Sequence, residues 1–178
     1  MNFSAFIKKL KKERNELRLI TIGLDNAGKT TILKSMFDIT DIVYPTFGYL
    51  THEVNFNDHI LTILDIGGQK SIRKYWNNFF EKADGLIFVV DLTDTRDFIP
   101  YLQHVANDPF LDGVPLLILG NKWDLKEESD GLEICNRIEK AFDSEIVKCY
   151  PVSAKLNKNL NESFKWLTEK IESLEKIN

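Results

Sequence analysis

The sequence predicts an α/β protein with a six-stranded, mostly parallel sheet, one antiparallel strand at the sheet edge, and helices on both faces. Short apolar runs alternate with segments of helical periodicity along the chain. Several of these runs, such as Leu86–Asp91 and Val114–Gly120, have the continuous apolar character of strands buried on both faces. Two other runs flank the dipeptide Asn57-Asp58, a spacing typical of an antiparallel hairpin. The 178 residues are enough for one domain with a sizeable core.

Local patterns place the individual elements in order. The apolar run Leu17–Gly23 predicts the first strand, and a helical pattern follows from Gly28 to about Phe37. Residues 41–48 contain Pro45, which favours a loop. The later strands are expected at His52–Phe56, Ile60–Ile66, Leu86–Asp91, Val114–Gly120 and Ile146–Val152, and the later helices at Arg96–Asn107, Leu132–Phe142 and Leu160–Leu174. One further helix is expected between the third and fourth strands. Ligands of such a sheet bind beyond the carboxyl ends of its strands.

Charge is unevenly distributed along the chain. The 23 basic and 27 acidic residues give a formal net charge of −4, which does not favour nucleic acid as a partner. Residues 1–18 carry six basic and two acidic side chains, a balance of +4, so the remainder carries −8. The two cysteines, Cys135 and Cys149, are too few for a disulfide framework, and no apolar run of the sequence is long enough to span a bilayer. We therefore expect a cytoplasmic protein that touches membranes only peripherally.

A glycine-rich segment directly after the first strand fits a phosphate-binding loop. Residues 23–30 match G-x-x-x-x-G-K-[ST], a loop whose backbone N–H groups surround phosphate oxygens. Its lysine neutralises the β- and γ-phosphates, its hydroxyl residue binds Mg²⁺, and the following helix presents its positive N-terminal end. The residues expected at the phosphates are Asp25, Asn26, Ala27, Gly28, Lys29, Thr30, Thr31 and, from a later glycine pair, Gly68.

Two motifs after later strands indicate guanine as the base. Asn121-Lys122-Trp123-Asp124 follows a predicted strand, and the Asp124 carboxylate can accept hydrogen bonds from both the ring N–H and the exocyclic amine of guanine. Adenine does not present that donor pair, so it would leave buried polar groups unpaired. Ser153-Ala154-Lys155 follows the last strand, where a backbone amide can reach the guanine carbonyl oxygen.

A third group of residues points to hydrolysis of a bound triphosphate. Thr30 and Thr46 offer hydroxyl groups to Mg²⁺, and Asp65 approaches the ion through a water molecule. The Gly68 amide is placed to bind the γ-phosphate, and Gln69 can orient the attacking water. Three alternatives remain: a nucleotide-locked scaffold that never hydrolyses, an ATPase or nucleotide kinase with the same loop, and a lipid-surface structural protein.

Taken together, these motifs resemble the Arf-like (ADP-ribosylation-factor-like) small GTPases over nearly the whole chain. The matching segments are GLDNAGKTTIL (23–33), PTFGY (45–49), DIGGQKSIRKYWNNFF (65–80) and NKWD (121–124). The resemblance implies a switch in which Thr46 and Gly68 close on the γ-phosphate of GTP and relax after slow hydrolysis. It also implies an exchange factor, an activating protein that supplies an arginine, and effectors in vesicle traffic, cilia or microtubule assembly. Arg73 is expected on the surface or towards effectors.

Three positions depart from the family pattern. Leu64 stands where a tryptophan is frequent, and together with Tyr49 and Phe79 it is expected to form the apolar patch that effectors contact. Trp123 replaces a frequent glutamine, with its side chain expected to point away from the base. Asn2 takes the place of the glycine that myristoylation requires, so no acyl chain is expected.

The N-terminal segment predicts a basic amphipathic helix over residues 1–16, ahead of a GTPase domain at 17–178. Phe3, Phe6, Ile7 and Leu10 share one helical face, with lysines elsewhere. Such a helix can lie weakly and reversibly on an anionic membrane through residues 3–10, pack on the domain, or enter a partner's groove. In the family, the corresponding helix docks on the domain with GDP and leaves with GTP.

Overall fold

The computed structural model describes residue 10 and residues 13–39 and 48–177, which form a six-stranded sheet with helices on both faces. The strands are β1 (Glu16–Gly23), β2 (Tyr49–Phe56), β3 (His59–Ile66), β4 (Gly85–Asp91), β5 (Leu116–Asn121) and β6 (Val147–Pro151). The helices are α1 (Lys29–Phe37), α2 (Lys70–Arg73), α3 (Ile99–Ala106), α4 (Glu128–Phe142) and α5 (Leu160–Glu175). Short 3₁₀ helices lie at Trp76–Phe79, Pro109–Leu111 and Trp123–Leu125. Within the part of the chain so described, no helix is both long and apolar enough to cross a membrane.

The sheet confirms the predicted topology. Its strand order is β2-β3-β1-β4-β5-β6, and every neighbouring pair is parallel except β2 and β3. The antiparallel pair closes at Phe56 and His59 around a turn in which Asn57 has a φ of 51°. An asparagine tolerates that left-handed conformation, so the tight turn carries little strain. The parallel strands therefore end at one edge, which is where the predicted motifs lie.

Alternating side chains of each strand enter two hydrophobic cores, one on each face of the sheet. In β1, Leu17 and Leu19 face the core beneath α1 and α5, whereas Ile20 and Ile22 face the core beneath α3 and α4. Burial on both faces explains why the parallel strands have continuous apolar sequences. Phe164 on α5 makes edge-to-face contacts with Phe37 and Phe56, at 5.2 and 6.2 Å between ring centroids.

The structure differs from the sequence-based expectation at several element ends. Helix α4 begins at Glu128 rather than at Leu132, because its first turn is polar and carries no apolar signal. Helix α3 begins at Ile99, since Arg96 lies in a turn in which Asp94 accepts a hydrogen bond from its backbone N–H. The helix expected between β3 and β4 is short, at Lys70–Arg73. Strand β1 begins at Glu16, and Thr46 and most of the predicted N-terminal helix lie outside the described residues.

Candidate functional site

The phosphate loop connects β1 to α1 at the carboxyl edge of the sheet. Two glycines in it have positive φ, 148° at Gly23 and 93° at Gly28. A Cβ on Gly23 would lie 2.2 Å from the Val89 carbonyl oxygen, and one on Gly28 would lie 2.3 Å from Asn121 Nδ2. Both positions therefore require glycine, which lets the loop lie directly against the ends of β4 and β5.

Lys29 and Asp65 supply the buried charges beside this loop. Lys29 is buried, with 8% of the residue exposed, and its ammonium donates hydrogen bonds to the carbonyl oxygens of Gly23 (3.1 Å) and Leu24 (3.0 Å). Burial lowers its pKa, although Asp65 and Asp25 act in the opposite direction. Burial raises the pKa of Asp65, opposed by a hydrogen bond from Thr30 and by the charge of Lys29. The loop therefore holds a desolvated cation whose electrostatic attraction for an anion is strong.

The segment after β3 lies directly on the phosphate loop. The Asp25 N–H donates to the Gly68 carbonyl oxygen (3.1 Å), and a Cβ on Gly68 would lie 2.3 Å from the Gly23 carbonyl oxygen. The next residue, Gln69, caps α2 with an extended backbone and an exposed side chain. Gly68 therefore packs against the phosphate loop, and the exposed Gln69 follows directly after it.

Arg73 is a correction to the sequence-based expectation, which placed it on the surface or towards effectors. Its guanidinium is 12% exposed and pairs with the Asp25 carboxylate (2.7 Å). It also donates to the Gly68 carbonyl oxygen (2.8 Å) and to the Tyr101 hydroxyl (3.1 Å). Arg96, which the sequence analysis did not single out, pairs with the same Asp25 oxygen at 2.8 Å. The only sequence signal for this pairing was the presence of an acidic residue, Asp25, inside a loop expected to bind phosphate.

Asn121 connects the phosphate loop to the two predicted base-binding motifs. Its Nδ2 donates to the Ala27 carbonyl oxygen (2.9 Å), and its Oδ1 accepts from the Ala154 N–H (3.0 Å). The Ser153 hydroxyl donates to the Asp124 carboxylate at 2.6 Å. These bonds bring three segments, separated by up to 127 residues, to one edge of the sheet.

The other predicted residues that the structure describes lie on the same loops or, for Thr31, in the first turn of α1. Lys122 pairs with Asp91 at the end of β4 (2.5 Å), a partner that sequence analysis missed. Asn26, Thr31 and Lys155 have exposed side chains. Leu64 is buried at 5% exposure, so the expected apolar patch there is formed by Tyr49 and Phe79, whose rings are 5.1 Å apart.

A phosphate loop joined in this way to an Asn-Lys-x-Asp loop defines a P-loop nucleotide-binding protein of the small GTPase class. The ADP-ribosylation factor family model matches residues 3–171. The chain is 38% identical to ADP-ribosylation factor-like protein 2 of Arabidopsis thaliana, over 97% of each chain. It is 37% identical to ADP-ribosylation factor-like protein 3 of Chlamydomonas reinhardtii, over 96% of this chain and 99% of the relative.

A solved structure supports the same class. The Arl6 BBS3 small GTPase of Trypanosoma brucei, with the bound nucleotide analogue GppNp, superposes with a TM-score of 0.76 at 25% identity, covering 89% of this chain and 98% of that one. The chain belongs to the ADP-ribosylation factor family and is an Arf-like small GTPase. Members of this class bind GTP, hydrolyse it, and act with exchange factors, activating proteins and effectors.

Proposed function

We propose that this GTPase is a GTP/GDP switch whose nucleotide is held by the residues that the sequence singled out. Asn121 carries the proposal, because its one side chain bonds both the phosphate loop and the Ser153-Ala154-Lys155 loop. Phosphates are bound by the phosphate-loop backbone and Lys29. Guanine is bound by Asp124, with Lys122, Lys155 and the Ala154 amide around the base. A base that lacks the paired donors of guanine leaves Asp124 unsatisfied.

The residues beside the phosphate loop also fit Mg²⁺. The Thr30 hydroxyl donates to Asp65 Oδ2 at 2.5 Å, so a hydroxyl and a carboxylate oxygen converge next to Lys29. Mg²⁺ prefers such oxygen ligands and keeps several waters. Thr30 and Thr46 would bind the ion directly, and Asp65 would bind it through a water. When bound, the ion neutralises charge on the β- and γ-phosphate oxygens.

We assign hydrolysis to Gln69, Gly68 and Lys29. The exposed Gln69 side chain orients a water for in-line attack on the γ-phosphorus, with its carbonyl oxygen accepting from the water. The Gly68 N–H and the Lys29 ammonium stabilise the charge that develops on the phosphate oxygens. The water oxygen bonds to the γ-phosphorus as the bond from phosphorus to the β–γ bridging oxygen breaks, and one proton of the water passes to a γ-phosphate oxygen, which gives GDP and inorganic phosphate.

The pairing of both arginines at the loop supports an activator-dependent reaction. Arg73 and Arg96 are each bonded to Asp25, so each would have to leave that carboxylate to reach the γ-phosphate. We infer a slow intrinsic rate and an activating protein that supplies an arginine, an addition worth about 10³–10⁵ in rate.

Gln69→Leu tests this assignment. We expect single-turnover phosphate release from preloaded GTP to fall about 100-fold or more with an activator-containing extract, since the water loses its orientation. GDP release should stay at the wild-type rate. Gln103→Leu, on the exposed face of α3, is the matched control. Equal phosphate release by Gln69→Leu and wild type would show that Gln69 does not orient the attacking water. Absence of hydrolysis in the wild type would favour the nucleotide-locked scaffold that never hydrolyses.

Similarity to ADP-ribosylation factor-like proteins supports a proposal about pathway and location. The switch regulates membrane traffic, ciliary or microtubule-linked processes through effectors. It does so from the cytoplasm, with peripheral association at a membrane, cilium or cytoskeleton. Pull-downs with Gln69→Leu loaded with GTP, against wild type loaded with GDP, identify the effectors. Tight ATP binding in competition with GDP would instead favour the ATPase alternative.

A further inference from the structure

Trp123 lies inside the Asn-Lys-Trp-Asp motif, yet its ring is bound to the neighbouring helix. The side chain is 6% exposed, and its Nε1–H donates to the Glu128 carbonyl oxygen (3.3 Å) in the first turn of α4. Its backbone N–H donates to the Val152 carbonyl oxygen (3.1 Å), just before Ser153. The residue thus connects the base-binding loop, helix α4 and the end of β6.

Gly131 on α4 makes room for the ring. A Cβ at this position would lie 2.4 Å from both Cδ1 and Nε1 of Trp123. Glycine is normally unfavourable inside a helix, so its presence here matches the requirement of the ring. Either residue can therefore be changed to test the same contact.

Lys158 covers the ring and links it to the Ser153 loop. Its Nζ lies 3.9 Å from the Trp123 ring centroid, within the range of a cation–π interaction. The backbones of Lys158 and Ser153 exchange two hydrogen bonds (3.0 and 3.2 Å), and the Ser153 hydroxyl donates to Asp124. A chain of contacts therefore runs from the indole ring through Lys158 and Ser153 to the Asp124 carboxylate.

We infer that Trp123 is a positioning residue for guanine: it fixes the orientation of Asp124 through α4 and Lys158 without touching the base. The inference rests on the proposed guanine site. Trp123 and Asp124 are adjacent in one 3₁₀ turn, so a displaced indole turns the carboxylate. Asp124 would then bond the exocyclic amine of guanine less well, and discrimination against hypoxanthine, which lacks that amine, would fall.

The experiment compares GDP and IDP binding in Gly131→Ala, Trp123→Gln and the double variant. We expect both single variants to release GDP about tenfold faster and to lower the IDP-to-GDP Kd ratio about threefold. Gly131→Ala added to Trp123→Gln should cause no further loss and should raise Tm, because alanine then stabilises α4 without a clash. The change in Tm caused by Gly131→Ala would therefore have opposite signs with and without Trp123, and this difference isolates the contact between the two residues.

Lys158 gives a second test that does not disturb the core, since its side chain is 47% exposed. Lys158→Met should also lower the IDP-to-GDP ratio, and Lys158→Arg should restore it because the cation over the ring is kept. Lys165→Met, on α5, is the matched control. The inference about Trp123 would be overturned, and the proposed guanine site left standing, if the IDP-to-GDP Kd ratio stayed unchanged in Trp123→Gln, Gly131→Ala and Lys158→Met. A lower Tm in these variants would not alter that conclusion. Wild-type protein that does not prefer GDP over IDP and ADP would overturn the guanine site as well.

Discussion

At the scale of single residues, Asp25 places a carboxylate in a loop built to bind phosphate. Arg73 and Arg96 both pair with it, and the hydrogen bond from Arg96 contributes most to lowering the pKa of Asp25. Arg96 also pairs with Asp94 (2.6 Å), so two carboxylates face two guanidinium groups, and Asp25 adds no net negative charge beside the phosphate loop. Because Arg73 also bonds the Gly68 carbonyl oxygen, Asp25 connects the phosphate loop to the segment that contains Gln69.

Gly68→Ala tests the close approach of this segment to the phosphate loop. An added Cβ would lie 2.3 Å from the Gly23 carbonyl oxygen and 2.5 Å from the Asp25 nitrogen, so the segment must move away. We expect affinity for GTP to fall about tenfold or more relative to GDP, because in the proposed switch the Gly68 amide binds the γ-phosphate, which GDP lacks. The two affinities are measured by displacement of a fluorescent nucleotide.

Gly113→Ala is the control for that variant. Gly113 has a φ of 73° but no atom within 4 Å of an added Cβ, so its cost is limited to local backbone strain. It should lower Tm slightly and leave the GTP-to-GDP ratio unchanged. A Gly68→Ala protein with the wild-type ratio would show that the γ-phosphate is not sensed here.

At the scale of elements, an ion pair joins the ends of β4 and β5. Lys122 follows β5 with a φ of 64° and reaches Asp91 at the end of β4. Burial acts to raise the pKa of Asp91, but hydrogen bonds from Lys122 and Thr93 outweigh it, and the pKa lies below 3.8. The carboxylate thereby holds a left-handed backbone residue in the base-binding loop.

Asp91→Asn should destabilise the fold in a pH-dependent way. The folded pKa lies below the unfolded value of 3.8, so the stabilisation by Asp91 is fully present above that pH. It is lost as pH falls through the folded pKa. We expect a loss of about 1–2 kcal/mol at pH 7 that vanishes in strong acid, measured by urea unfolding. Asp112→Asn, at an exposed aspartate, controls for removing one surface charge, and a pH-independent difference would contradict the prediction.

At the scale of the whole molecule, the split of charge into +4 and −8 predicts how the chain meets membranes. We propose that residues 3–10 contact anionic vesicles weakly in the GTP state. Raising salt from about 0.1 M to about 1 M shortens the Debye length from about 10 Å to about 3 Å, so sedimentation with phosphatidylserine vesicles should be lost.

K8E/K9E should abolish that sedimentation, whereas K165E/K170E on α5 makes the same charge change outside the N-terminal segment and should not. Equal vesicle binding with GDP and GTP would contradict nucleotide control and favour a lipid-surface protein.

The sequence by itself determined the element order and a mostly parallel sheet with one antiparallel edge strand, and it predicted the residues of the site. Buried parallel strands leave continuous apolar runs, a two-residue hairpin leaves a polar turn, and phosphate loops need glycine and lysine at fixed spacing. Element ends were less well determined, as at Glu128, because a polar first turn of a helix has no periodic signal.

Only the tertiary structure decided which distant side chains meet around those motifs. Arg96 reaches Asp25 across 71 residues, Lys122 reaches Asp91 across 31, and Lys158 covers Trp123. None of these pairs lies within a motif or a helical repeat, so spacing carries no information about them. They form because parallel strands bring their carboxyl ends to one edge of the sheet, where charge pairing and the space left by Gly131 select the contacts.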